Sequence, residues 1–157
     1  MVVKGIKLTL IRLYENVYLS LCIVKKIKYM NTKQEFAIKH LERIVKFREE
    51  ALETAFASLK ENFCYQLAWT GEDMFMNQYR LDHYKAILAD LKGKNAEDVF
   101  QYWIGRFKTY ISHPYNVREN STGVLHREAS TWKYMATMTL LEEVEGWYDS
   151  LKENKEN

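Results

Sequence analysis

Residues 112–127, Ser112-His-Pro-Tyr-Asn-Val-Arg-Glu-Asn-Ser-Thr-Gly-Val-Leu-His-Arg127, hold the densest set of side chains that can do chemistry. The segment contains two of the four histidines, His113 and His126, the only proline, Pro114, and both Arg118 and Arg127. Loops carry function more often than helices do. A Ser121-Thr122-Gly123 step at a helix start can present free backbone N–H groups to an anion. Arg118, His126 and Arg127 would then supply charge-assisted donors around it. The plainer reading is that Ser121 or Thr122 caps the following helix. The Gly-x-x-x-x-Gly-Lys spacing of a phosphate loop does not occur, so nucleotide hydrolysis has no support.

Other catalytic constellations are weaker. His40, His83, His113 and His126 are isolated in the sequence, with no His-Glu-x-x-His, Glu-x-x-His or Cys-x-x-Cys spacing, so neither a metal nor another cofactor is expected. Nothing pairs a serine or cysteine with an ordered base. The carboxylate pairs Glu49–Glu53 and Glu142–Glu143 fall on helix faces expected to be solvated. No catalytic residue is assigned, and the chain is expected not to be an enzyme. Cys22 and Cys64 are the only cysteines; they are expected as buried free thiols in a reducing cytoplasm.

Two sets of residues suit binding. Lys39, Arg43 and Lys46 recur at four- and three-residue steps, which places them on one flank of a helix. With Arg118 and Arg127 they are the candidate contacts to an anion or a nucleic acid. Trp69, Met74, Phe75 and Met76 cluster around a predicted helix corner and are the candidate contacts to a protein partner, because large rings and methionines are enriched at interfaces.

Charge sorts the chain into unlike parts. Residues 1–29 carry Lys4, Lys7, Arg12, Lys25, Lys26 and Lys28 against Glu15 alone, a net of +5. The whole chain is +2, so residues 30–157 sum to −3. Duplex binding is driven largely by phosphate neutralisation, which an acidic domain does not favour. The apolar runs before Met30 are broken by Lys7, Arg12, Glu15 and Asn16, and fall short of the ~20 apolar residues of a membrane span. No small-residue cleavage site follows them, so a signal peptide fits poorly. These residues read as an upstream extension or peripheral element, as a hairpin turning at Glu15-Asn16, or as a basic arm for a membrane surface or nucleic acid.

The elements that must position these residues are helices. Glycine is sparse, there is one proline, and Leu, Glu, Lys, Met and Ala abound. Thr32-x-x-Glu35 is a capping box that would start a first helix, with an apolar stripe Ile38, Leu41, Val45, Leu52, Ala55 and Leu59 running to about Phe63. Thr70-Gly71-Glu72-Asp73 reads as a break, after which Met74, Leu81, Tyr84, Leu88 and Leu91 mark a second helix. Gly93 fits the left-handed position that ends it. Asn95 caps a third, with Val99, Phe100, Trp103, Phe107, Tyr110 and Ile111 on its apolar face, and Pro114 stops it. Leu125, Ala129, Trp132, Ala136, Leu140, Val144, Trp147 and Leu151 mark a long fourth helix.

The expected fold is all-α: about four amphipathic helices in a compact antiparallel bundle over residues 30–151, with a short basic extension at 1–29 and a frayed tail at 152–157. No family resemblance emerges. The expected function is non-enzymatic, cytoplasmic binding of a protein partner, in the manner of a small bacterial or phage accessory or inhibitor protein. The long first and fourth helices also suit a homodimer. A nucleic-acid-binding regulator is the alternative, and an enzyme or anion-binding protein centred on 113–127 a weaker one.

Overall fold

The computed structural model describes residues 2–113 and 124–153; for residues 2–20, 22–23, 26–31, 65–66, 68–69 and 124–126 the description is of the backbone alone. Four helices make up the described residues: α1 (Val2–Glu61), α2 (Phe63–Leu91), α3 (Ala96–Ser112) and α4 (Val124–Glu153). The fold is all-α, and the helices pack against one another. The chain divides into two compact units, Met1–Phe36 and Ala37–Asn157.

The first unit is helical over all of its residues from Val2 onward. Of the three readings of residues 1–29, this excludes the hairpin turning at Glu15-Asn16, and Thr32 lies within the helix instead of starting it. A helix satisfies its backbone groups within its own segment, whereas a lone two-stranded hairpin is marginal in water. The capping box has work to do only where the preceding chain is not helical.

The second unit holds the core. From α1 it takes Ala37, Leu41, Val45 and Leu52. From α2 come Leu81, Tyr84, Ile87 and Leu91; from α3 Val99, Phe100, Trp103 and Phe107; and from α4 Leu140, Val144 and Leu151. Apart from the adjacent Val99 and Phe100, which widen the α3 stripe, these residues recur three or four apart, or seven, along each helix, so one stripe per helix is removed from water. Cross-helix pairs give the directions. Lys85 meets Glu49 at 2.7 Å and Lys92 meets Glu42 at 3.7 Å, so α2 runs antiparallel to residues 37–61 of α1. Lys108 meets Glu145 at 2.6 Å while Gln101 bonds Tyr148, so α3 and α4 are antiparallel. Phe75 packs on Trp132 and Tyr84 bonds Glu143, so α2 and α4 run the same way.

The corner between α1 and α2 falls at Asn62, not at residues 70–73. Gly71 lies inside α2, where an added Cβ would meet only the Leu67 side chain at 3.4 Å. A single interior glycine costs a helix about 1 kcal/mol, less than the burial of the Met74, Leu81 and Tyr84 stripe that the unbroken helix keeps in register. Cys64, expected to be buried, is exposed beside this corner.

Gly93 does not take the left-handed position expected of it. Lys92 stays right-handed, and its N–H and that of Gly93 bond Leu88 and Asp90 carbonyls at 3.2 and 3.1 Å. The α3 start is as expected: the Asn95 side chain accepts from Glu97 N at 2.9 Å and Asp98 N at 3.4 Å. Asp90 ties α2 to α3, accepting from the Trp103 indole at 3.0 Å and Lys94 at 2.6 Å. The Lys94 hydrogen bond holds the Asp90 carboxyl below its ordinary range. His113 ends α3 in an extended conformation, φ −82° and ψ 112°, the geometry a residue before proline prefers.

Candidate functional site

Tyr84 is a large residue on the apolar stripe of α2, and burial removes its ring from water entirely. A buried phenol needs a partner for its hydroxyl. The partner is Glu143 of α4, whose Oε2 accepts from the Tyr84 hydroxyl. The other oxygen, Oε1, accepts from Arg80 Nη2. Arg80 lies one turn before Tyr84, and its Nε also donates to the phenol oxygen at 3.2 Å. Arg48 reaches in from α1: its Nη2 lies 3.9 Å from Glu143 Oε1, and its Nη1 donates to Asn77 Oδ1 at 2.5 Å. Both guanidinium carbons sit 5.9 Å from the Tyr84 ring centroid, within reach of cation–π attraction. Burial, then the hydrogen bond and negative charge of Glu143, push the Tyr84 hydroxyl up to about 12, against the opposing pull of Arg80.

This network floors a cleft of about 390 Å³ between α1, α2 and α4. The volume falls in the ~300–1,000 Å³ range of ligand pockets. Trp147 forms one wall, half-buried, with its ring 5.9 Å from Tyr84 and 6.1 Å from Phe100. His40 stands edge-on to Trp147 at 5.6 Å. Phe47 also lines the cleft and is 69% exposed, more than any other large apolar residue described. Arg43 also lines the cleft and makes no ion pair among the described residues. Arg80 and Arg48 therefore converge on one carboxylate that is already bonded on both oxygens, and Arg43 adds a further guanidinium to the cleft lining. The open polarity of the cleft is positive and donating.

Of the expected binding residues, Lys39, Arg43 and Lys46 are all exposed on α1, but only Arg43 lines the cleft. Lys46 pairs with Glu50 at 3.9 Å, and exposed Glu42 intervenes along the same stretch, so the flank is mixed in charge. Arg127 is exposed on the first turn of α4. Arg118 and the Ser121-Thr122-Gly123 step lie outside the described residues. Among the expected partner contacts, Met74 is buried and so offers no surface. Phe75 and Met76 are half-buried, and the Phe75 ring packs on Trp132 at 5.5 Å. The Trp69 side chain lies outside the described residues. These residues occupy the body of α2, away from the Asn62 corner.

Glu143, expected to be solvated, is instead the hub of the network. Arg48, Arg80, Phe47 and Trp147 were not legible as a site. One signal was present: Arg48 stands four residues after Ile44 and four before Leu52, a charge within an apolar register. Among the described residues no helix is long and apolar enough to cross a membrane, and no three His, Cys, Asp or Glu side chains converge as metal ligands. Compared with known proteins, the chain matches no family model, no curated protein and no solved structure.

Proposed function

We propose that this is a non-enzymatic binding protein that engages a protein partner through the α1–α2–α4 cleft. The observation that carries this reading is the exposed Phe47 ring lining one cleft with Trp147 and with an Arg43 that makes no ion pair among the described residues. Tryptophan, tyrosine and arginine dominate binding energy where they line a concave, desolvated site. Tyr84 and Glu143 hold the cleft floor rigid, so little ordering is needed on binding. The protein belongs, on this reading, with small cytoplasmic accessory or inhibitor proteins of bacteria and phage. The mixed charge of the Lys39–Lys46 flank gives less support to a nucleic-acid regulator.

Selection of a random peptide library on the full-length protein tests this. Selected peptides are expected to lose about tenfold or more in affinity on Phe47→Ser, and to be unaffected by Phe56→Ser, a change at another exposed ring. Peptides that bind Phe47→Ser as tightly as the parent would place the docking surface elsewhere. A second copy of the chain is the competing occupant. Sedimentation equilibrium decides it: a dimer that Phe47→Ser converts to monomer would put self-association in the cleft.

A further inference from the structure

We infer that the segment taken by this cleft is acidic and apolar together: a carboxylate side chain that Arg43 receives, next to an apolar side chain seated between Phe47 and Trp147. The inference rests on the docking reading above and adds the chemistry of the partner.

Three features carry it. Glu143 is already engaged within the protein, by Tyr84 on one oxygen and Arg80 on the other with Arg48 nearby, so its negative charge is answered before a ligand arrives. Arg43, in contrast, offers a guanidinium fork that matches a carboxylate bidentately and has no ion-pair partner among the described residues. The second feature is the setting. Residues 30–157 carry a net −3, so an acidic segment is not drawn to this part of the chain by net charge, and the local cations of the cleft decide where it docks. That contrast steers and orients a ligand more than it adds raw affinity. The third is the shape of the charge. Lys46 is paired with Glu50, and Glu42 stands between Lys39 and Arg43, so the flank offers an extended polyanion such as nucleic acid only a broken run of cations, whereas a single carboxylate needs Arg43 alone.

The probes are fluorescein-labelled peptides of about twelve residues from the selection, each remade with Glu or Asp changed to Gln or Asn, and with the same positions changed to Lys. A single-stranded oligonucleotide of similar length is the fourth probe. Affinity is read by fluorescence anisotropy at low and moderate salt. Neutralising the acidic residue is expected to weaken binding about tenfold or more, and Arg43→Glu to weaken the parent peptide by a similar factor. The decisive arm is the charge swap: Arg43→Glu regains affinity for the Lys peptide. Arg43 is exposed, and an unchanged thermal melt of the variant confirms that the fold is intact. Amide peptides that bind as tightly as acidic ones, or an oligonucleotide that binds more tightly than any peptide through Arg43, would overturn the inference. If binding needs Phe47 but not the acid, the docking reading stands and this inference falls. If it needs neither, both fall.

Discussion

Glu143 joins three helices through one carboxylate, so its removal leaves Arg80 and Arg48 facing a half-buried void. Glu143→Ala is expected to cost about 2 kcal/mol, since donors that lose their partner retain their desolvation cost. Tyr84→Phe keeps the buried ring and loses only the hydroxyl bonds, about 1 kcal/mol near neutral pH. Urea melts of each variant check both values. The same hydroxyl sets an alkaline limit. It titrates near 12 in the folded protein and near 10 when unfolded. Its contribution is complete below pH 10, because both states are then protonated. Above pH 10 the unfolded chain loses the proton first, so stability falls until the folded state ionises as well. The drop is on the order of 2–3 kcal/mol. Tyr84→Phe should lack this component, so the gap between the two proteins closes and then reverses as the pH is raised through 10 to 12. Parallel curves over that range would show that the hydroxyl is not held as described. At this scale little of the site was legible. Tyr84 was readable as core from its spacing, and Arg43 as an exposed cation. Glu143 looked like a neighbour of Glu142 on a wet face, because adjacent helix residues differ in direction by about 100° and sequence alone does not say where the core edge falls.

Helices α3 and α4 show how far local rules reach. The Asn95 cap, the apolar stripe of α3 and its stop before Pro114 follow from side-chain chemistry within one or two turns, and all three were readable. Asn95→Ala removes the acceptor for two backbone N–H groups and is expected to cost about 1 kcal/mol. Gly105 and Gly146 lie within α3 and α4 with open space where a Cβ would stand. Gly105→Ala and Gly146→Ala should therefore each raise stability by about 0.5–1 kcal/mol, seen as a thermal midpoint a few degrees higher. A loss at either position would mean that a neighbour approaches there. The boundaries that were misread, at Thr32 and at residues 70–73, share a cause. A cap or a glycine is a permissive signal; whether the helix stops depends on what the flanking residues bury or bond, which lies outside the local window. Continuity through Gly71 is decided by Met74, Leu81 and Tyr84 staying on one face.

The whole molecule comprises two units, and among the described residues every member of the core cluster lies in the second, beginning at Ala37. A chain begun at Met30 retains all of those residues. It is expected to unfold in one cooperative helical transition, with a midpoint within a few degrees of the full-length protein. A broad, non-cooperative melt would instead make residues 1–29 part of what stabilises the domain. The charge contrast between the basic first 29 residues and the acidic remainder was legible from composition alone. What was not legible is the position of the cationic cleft within that acidic remainder, because it is assembled from Arg43, Arg48, Arg80 and Glu143, which only helix packing brings together. Binding at this cleft is the property on which the proposed function depends. Amide chemical-shift mapping of ¹⁵N-labelled full-length protein, titrated with a selected acidic peptide, tests it most directly. Shifts concentrated on residues 40–48 of α1 and 143–147 of α4, and abolished by Phe47→Ser, are the predicted result. Shifts concentrated instead around the exposed Phe56, Phe63 and Leu67 would contradict it.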